Sequence, residues 1–371
     1  MKNRIKIIVA FIFFITTFFS LGKVIFEPDF PDFRAHYYGA KKVLYHQNPY
    51  DFDSNYFTNQ AYPPLDFVLV VPFLLFEYSI AAKLWIFLSF IALFYSILKM
   101  FEIVSIKIKS VEGLIIVGLF FLSFPLKFSF GMGQVNIILL SVLIAILSLI
   151  NSQRYYKAGI ISSVLFQIKF YPLLFIPYFI FVKKYLYVKG VILGTILIIF
   201  LLIFLGLGND IKYFYLNVLP DLLSSWKDSY YNQSLNGVIA RFTESNSIRS
   251  IMKVGLSTSL LMLVAVFIFL HNKKKHTENI VLSLLLTLSV LVNNFSWQHH
   301  FIFLFPAYIF VFSHIKKMKN KFILSCVLLS SYFLVSFNMI DPSIYPVLLQ
   351  SHVFWGGLLL LGTELYVLYK L

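Results

Sequence analysis

The sequence contains a single cysteine, Cys326, which lies within an apolar run. One thiol excludes a disulfide framework and a cysteine-based metal site within the chain. Charged residues are also scarce, at 13% of the sequence, whereas soluble domains carry about a quarter. These two shortages exclude a disulfide-stapled secreted domain and argue against a soluble globular protein.

Apolar residues take the place of the missing charge. The chain is 59% hydrophobic and 19% aromatic, with a mean hydropathy of +0.83. Apolar runs that nearly or fully match the thickness of a bilayer recur from one end to the other. The sequence therefore predicts an all-α polytopic membrane protein. It is expected to form one domain over residues 1–371, with about 12 transmembrane helices and short amphipathic helices on the external side.

The charge that remains is strongly basic, with 31 Lys and Arg against 16 Asp and Glu, a formal net charge of +15. Much of it lies at the termini and in short polar segments between apolar runs, where basic residues mark cytoplasmic loops. The excess of basic residues is thus attributed to the orientation of the chain in the membrane, and no nucleic-acid partner is predicted. Both termini are placed in the cytoplasm, and the larger external segments are residues 27–62, 208–250 and 338–351.

The apolar runs predict helices along the whole chain. The first, at about 5–26, resembles a signal peptide, but no A-x-A-like cleavage site follows, so it is interpreted as a retained helix. Later helices are predicted near 113–130, 134–150, 190–207, 251–270, 279–293, 300–315, 322–338 and 352–369. Two regions are irregular: residues 63–98 hold two apolar pieces, and residues 158–182 are split by the sequence KFYP. Broken helices persist only where protein or a water-filled cavity covers the freed backbone.

The first external segment is rich in groups that could carry chemistry. Asp29 and Asp32 precede Arg34 and His36, in a stretch whose apolar spacing predicts an amphipathic interfacial helix over residues 33–45. A carboxylate beside a cation suits a general base that deprotonates a hydroxyl. From these residues alone, a solvated acidic loop is the favoured alternative.

A second acidic pattern follows at Asp51-Phe-Asp53. It has the D-x-D form with which many sugar transferases hold a divalent metal, but it stands in a turn-like context after Asn-Pro-Tyr, which favours a solvated turn. No cofactor is predicted, and a divalent metal is left open without being favoured.

Lys169 stands within an apolar stretch beside the predicted helix break, in the sequence FQIKFYP. A charge placed there usually faces a cavity or a partner, and a phosphate would be a suitable one; the alternative is a side chain that reaches the interface. Lys127 has the same character. Gln134 and Asn136 follow it at the next helix start and are predicted to contact substrate.

Polar groups recur in two later segments. Amides and an arginine in residues 208–250 could hydrogen-bond sugar hydroxyls or a phosphate: Asn232, Gln233, Asn236 and Arg241. A ring and two imidazoles at 297–300 could stack on a sugar face and donate to a phosphate: Trp297, His299 and His300. For a lone histidine, a structural role would be the usual interpretation.

Taken in order, these segments resemble the membrane-embedded GT-C glycosyltransferases. They are most similar to the polyprenol-phosphate-mannose-dependent mannosyltransferases of glycosyltransferase family eighty-seven. The resemblance rests on six stretches between residues 31 and 306: PDFRAHYYGAKKVLYHQNPYD, AYPPLDFVLVVPF, GMGQVN, KAGIISSVLFQIKFYPLLFIPY, YYNQSLNGVIARF and SWQHHFIFLFP.

The resemblance implies a cell-membrane enzyme of the cell envelope that takes a hexose from a polyprenyl-phosphate donor. The acceptor, a lipid-linked sugar or a glycan, would be reached from the non-cytoplasmic side. The resemblance also implies inversion, with Asp32 at the position of the general base. Lys169 matches the family's lysine before Tyr-Pro, and His299 and His300 match its paired histidines. With Arg34 and Arg241, these groups are expected to hold the donor phosphate and sugar.

Three other functions compete with sugar transfer from a lipid monophosphate. A multi-pass lipid or glycolipid transporter or flippase would share intramembrane charges and broken helices, but it should have matching interruptions in two repeat halves, and the sequence has none. A glycan ligase or polymerase using a lipid-diphosphate donor should have a large external loop with several arginines. A non-catalytic scaffold would leave the lysines in apolar runs unexplained.

Overall fold

The computed structural model describes residue 22 and the ranges 29–51, 61–224, 229–271 and 277–371. The helix predicted at about 5–26 lies outside these residues apart from position 22, and Asp53 of the D-x-D pattern lies outside them as well. The described chain is 80% helical and contains no strand. The predicted all-α fold class is confirmed.

The chain forms two compact units. The first comprises Met1–Leu122, Leu126–Phe170 and Ile176–Ser225. Its described helices are α1 (Pro31–Leu44), α2 (Pro64–Val70), α3 (Tyr78–Ile103), α4 (Val111–Leu122), α5 (Phe124–Met132), α6 (Asn136–Asn151), α7 (Tyr155–Ile168), α8 (Phe175–Phe181), α9 (Tyr185–Phe204), α10 (Gly208–Tyr213) and α11 (Leu219–Ser224). The first residues of α5 and α8 belong to the second unit.

The second unit comprises Ser123–Pro125, Tyr171–Phe175 and Trp226–Leu371. Its described α-helices are α12 (Leu235–Phe242), α13 (Asn246–His271), α14 (Glu278–Val292), α15 (Phe305–Ile315), α16 (Lys321–Ser336), α17 (Val347–Gln350) and α18 (His352–Lys370). Short 3-10 helices lie at Tyr171–Leu174, Gln298–Leu304 and Pro342–Ile344.

Several of these helices are suited to a bilayer. In the described ranges, α3, α9, α13 and α18 are long and apolar enough to cross a membrane, and α4 with α5 adds a fifth crossing if the pair, bent by 51°, forms one span. Five shorter apolar helical segments accompany them. The polytopic membrane class is confirmed, and the count of about 12 crossings stays a prediction.

The helix break around Lys169 is present as predicted. Helix α7 ends at Ile168, and Lys169 adopts an extended conformation with φ −140° and ψ 123°. A 3-10 turn over Tyr171–Leu174 precedes α8. The break removes Lys169 from the helix and places it at the carboxyl end of α7, where its side chain is partly exposed.

Glycines bring α7 and α9 into backbone contact within the first unit. A Cβ atom at Gly159 would lie 2.1 Å from the carbonyl oxygen of Tyr187, and one at Gly190 would lie 2.2 Å from that of Tyr156. Small residues permit such close approach in membrane helices, where dispersion contacts stabilise association. The contact between α7 and α9 fixes the position of α7 and therefore that of Lys169, which follows it in the chain.

Gly190→Ala is expected to destabilise the protein because a methyl group cannot enter this crossing without separating the two backbones. Overpacking of this kind costs about 1–3 kcal/mol. The thermal melting temperature of the purified protein in detergent should fall. Gly255→Ala in α13, where a Cβ atom meets nothing within 4 Å, is the matched control and should melt at or above the wild-type temperature. Equal melting temperatures for the two variants would contradict the close contact.

Candidate active site

Asp32 lies in the first turn of α1 and is held by Gln134. The Gln134 side-chain amide donates a hydrogen bond to Asp32 Oδ2. Gln134 is buried, whereas Asp32 keeps part of its surface exposed. Pro31 begins the helix, where its missing N–H is tolerated. The sequence predicted a role for each of these two polar residues, and the structure brings them together.

The residue before Gln134 explains how the loop comes so close to α1. Gly133 has a positive φ of +67°, and a Cβ atom there would lie 2.7 Å from Cβ of Phe30 and 2.8 Å from Cβ of Phe33. Its carbonyl oxygen accepts a 2.8 Å hydrogen bond from Trp85 Nε1. Only glycine combines this conformation with this contact, so Gly133 permits Gln134 to reach Asp32.

Behind Asp32 lies a buried pair that was not predicted from the sequence. His36, one helical turn after Asp32, is 0% exposed, and Asp66 in α2 is 1% exposed. His36 Nδ1 and Asp66 Oδ2 share a short hydrogen bond. The ring of Tyr62 lies 4.0 Å from that of His36, centroid to centroid, and its hydroxyl is 3.4 Å from Gln134 Oε1. The imidazole is thus fixed on both sides.

Lys169 supplies positive charge to the same group. Its ammonium nitrogen stands 5.8 Å from the ring centroid of Tyr62, and its charge acts on both Asp32 and Asp66. Asp32, His36, Tyr62, Asp66, Gln134 and Lys169 are called the Asp32 cluster below. All six belong to the first unit.

The environment of Asp32 changes its acidity. Burial raises the pKa of Asp32 to about 6, against the opposing effects of the His36 charge, the Gln134 hydrogen bond and the Lys169 charge. A carboxyl group is a more effective general base when its pKa lies nearer to the working pH. The environment of Asp32 therefore suits a general base, and that role stays a prediction.

In the second unit, His300 is oriented by two donors. Its Nδ1 accepts from the backbone N–H of Trp297 at 3.2 Å and lies 2.5 Å from the hydroxyl oxygen of Tyr171. Because a backbone N–H can only donate, Nδ1 is the unprotonated nitrogen, and Nε2 carries the ring proton. His300 is therefore set as a hydrogen-bond donor through Nε2, which suits the predicted contact with a phosphate or sugar oxygen.

A row of nearly parallel rings accompanies His300. Tyr231 and Trp297 are stacked with their centroids 5.9 Å apart, and Trp297 and His299 follow at 6.3 Å. His299 meets His300 edge to face at 4.4 Å. The structure thus brings together three residues that the sequence selected, Trp297, His299 and His300, and adds Tyr171 and Tyr231.

The polar residues of 232–241 serve as a framework in the second unit. Asn232 Oδ1 accepts from Ser234 Oγ at 2.8 Å, and Asn236 donates to the Asn294 carbonyl at 2.9 Å. Gln233 donates to the carbonyls of Tyr230 and Gln350 at 2.6 and 2.8 Å. Arg241 donates to the carbonyls of Ser229 and Asn232 and to Ser351 Oγ at 2.8–3.0 Å. These bonds tie the segment to its neighbours; contact of Asn232, Gln233, Asn236 and Arg241 with substrate stays a prediction.

The remaining predicted site residues lie in the first unit. Asp29 and Arg34 pair with each other at 2.5 Å, with Asp29 exposed, and the Arg34 guanidinium lies 5.5 Å from the Tyr78 ring centroid. Asn136 is 0% exposed, and its side-chain amide has no hydrogen-bond partner among the described residues. A buried amide of this kind usually has a bound partner, often water.

Three acidic or imidazole groups were missed from the sequence. His36 follows Asp32 by four residues, the spacing of one helix face, and Asp66 is a lone acid in an apolar run; both signals were available. Glu364 in α18 is fully buried and accepts hydrogen bonds from Ser283 and Thr287 of α14. It joins two helices of the second unit.

Within the described ranges, no three or more His, Cys, Asp or Glu side chains are grouped so as to hold a metal ion. Asp51 is exposed and accepts a 2.8 Å hydrogen bond from Asn48, while Asp53 lies outside the described residues. A divalent metal therefore stays open and is not favoured.

In two comparisons with known proteins, the chain is similar to glycosyltransferases. The profile of glycosyltransferase family 87 matches residues 60–293. A polyprenol-phosphate-mannose-dependent alpha-(1-2)-phosphatidylinositol pentamannoside mannosyltransferase of Mycolicibacterium smegmatis is 20% identical over 320 residues, which cover 83% of this chain and 75% of that protein. No solved structure matches the chain.

Proposed function

Since the chain belongs to glycosyltransferase family 87, we propose that it moves a hexose from a polyprenyl-phosphate donor to a hydroxyl of a glycolipid or glycan. Mannose is the first candidate sugar, because the similar mycobacterial enzyme is named for polyprenol-phosphate-mannose. The observation that carries the proposal is the Asp32 cluster, in which Asp32, a partly exposed residue whose carboxyl pKa is raised, stands within electrostatic reach of Lys169.

The proposed reaction is a single displacement with inversion. The acceptor oxygen attacks the anomeric carbon while Asp32 takes the hydroxyl proton. The bond between that carbon and the donor phosphate oxygen breaks, and its electrons leave with polyprenyl phosphate. Lys169 opposes the negative charge that grows on the phosphate, a stabilisation that needs no reorganisation because the lysine is already in place.

The proposed reaction takes place on the non-cytoplasmic face of the cell membrane. The placement rests on the basic residues between apolar runs, which favour cytoplasmic termini. It would put α1 at the external interface, as an amphipathic helix whose Phe33 and Tyr37 are buried and whose Lys41 is exposed. The polyprenyl chain of the donor could then stay in the bilayer while the sugar reaches Asp32.

The test is transfer by the purified full-length protein in lipid nanodiscs. Radiolabelled polyprenyl-phosphate mannose is offered with a lipid extract of the native membrane as the acceptor, in parallel with polyprenyl-phosphate glucose and with GDP-mannose. Labelled glycolipid or glycan should form from a polyprenyl-phosphate sugar and not from the nucleotide sugar. Failure of every polyprenyl-phosphate donor would contradict the proposal and favour the lipid transporter.

The pH profile of transfer should fall on its acidic side near pH 6, since the pKa of Asp32 is raised to about 6. A raised pKa keeps the carboxyl protonated to a higher pH, so the base is lost as the pH decreases through that value. The measurement is kcat/KM from pH 4.5 to pH 9, which should decline tenfold per unit on the acidic limb. A limb centred near pH 4, the ordinary range for aspartate, would contradict the assigned environment.

A further inference from the structure

We propose that His36, oriented by Asp66, is a positioning residue that keeps Asp32 ionised for the attack of the acceptor hydroxyl. This inference rests on the proposed sugar transfer and adds two residues to it. His36 and Asp66 act from behind Asp32 and do not touch the substrate.

Burial and spacing define this arrangement. His36 and Asp66 are 0% and 1% exposed, whereas Asp32 in the same helix keeps part of its surface open. Residues four apart on a helix are side-chain neighbours, with Cβ atoms about 5–6 Å from each other. Asp32 therefore has a surface from which a substrate could approach, whereas His36 is enclosed by the protein.

The hydrogen bond to Asp66 fixes the orientation of the His36 ring. Nδ1 is bound to Asp66 Oδ2, and Nε2 is buried with no hydrogen-bond partner among the described residues. A carboxylate hydrogen-bonded to Nδ1 holds an imidazole ring in a fixed orientation, as in catalytic triads. Asp66 thus holds the ring of His36 in place one helical turn after Asp32.

The charge of His36 acts on Asp32, where it opposes the rise in pKa that burial causes. Asp32 and Asp66 bring two negative charges, and Lys169 brings one positive charge. Gln134 and Tyr62 are uncharged hydrogen-bonding neighbours, while Arg34 is paired with Asp29 and faces Tyr78 of α3. A positive charge at position 36 favours the ionised form of a neighbouring carboxyl group.

The experiment is the pH profile of kcat/KM for His36→Gln and His36→Asn, with the full-length protein in nanodiscs. Both replacements remove the positive charge and keep a polar side chain. The acidic limb should move up by about one pH unit or more. For a shift of one unit, kcat/KM falls about eightfold at pH 5.5 and returns to the wild-type value above about pH 8, because Asp32 is then ionised without assistance.

His352→Gln is the matched control. His352 is a buried histidine of the second unit, bound to Tyr230 and to the carbonyl oxygen of Leu334, and its replacement should leave the acidic limb in place. A folded His36 variant with an unmoved limb, or with the same loss at every pH, would overturn the inference. Failure of both His36 variants to fold would also overturn it, since the pair would then be structural.

The outcomes separate this inference from the proposed function. If the wild-type protein transfers no sugar, the proposed function fails. If the wild type transfers sugar and the limb of the His36 variants is unmoved, the proposed function stands and only the role of His36 is removed.

Discussion

Asp32→Asn is expected to reduce sugar transfer by a factor of about 10²–10⁴, the usual contribution of a general base. An amide cannot take the proton of the acceptor hydroxyl, so the nucleophile must attack without losing it. The side chain keeps its shape, and its oxygen can still accept the hydrogen bond from Gln134. We therefore expect a loss in kcat with a folded protein, measured by transfer at saturating donor together with thermal melting.

Glu77→Gln is the matched control for this loss. Glu77 is an exposed acid of the first unit, immediately before α3, and its change to the amide should leave transfer within about threefold of wild type. Transfer by Asp32→Asn at a comparable rate would remove Asp32 from the role of base. The wild-type protein would still be specific for its donor. Another group would then have to accept the proton of the acceptor hydroxyl.

Lys169→Met is expected to reduce transfer by a factor of about 10²–10³. This is the usual effect of removing a single group that stabilises the charge developing in a transition state. Methionine keeps an unbranched apolar side chain but loses the ammonium group that opposes the charge on the leaving phosphate. The loss should appear in kcat at saturating donor more than in KM, because the phosphate gains charge as the bond breaks. Lys169→Arg should recover part of the rate.

Lys127→Met provides the comparison. Lys127 also stands in an apolar stretch of the first unit and is partly exposed, but it is not part of the Asp32 cluster. Its variant should transfer sugar at a rate within about threefold of wild type. Equal losses for the two lysine variants would show that the effect comes from removing any positive charge near the membrane. The assigned role of Lys169 would then be wrong.

Much of the architecture could be predicted from composition and apolar periodicity. The helix predicted over residues 33–45, the break at Lys169 and most of the later helices lie close to their predicted positions. Apolar periodicity locates them because lipid-facing and core-facing helices must both be apolar over several turns. The number of membrane crossings could not be predicted, because the length of a short apolar helix such as α2 does not show whether the helix spans a bilayer.

The candidate site was predicted only in part. Asp32, Gln134 and Lys169 were selected individually, as polar groups in unusual contexts, and the structure places them in one cluster. Their proximity could not be predicted, because it joins segments more than 100 residues apart. Asp66 was missed because an acid in an apolar run was not treated as a site, although such a residue is expensive to bury without a partner.

Gly133 illustrates how a residue without a side chain can govern the chemistry of this enzyme. A methyl group at this position would push the loop away from α1 and withdraw Gln134 from Asp32. A genetic screen would then score Gly133→Ala as a loss of catalytic power, although the substitution removes no reactive group. Family members with a larger residue here would need another way to hold the carboxylate.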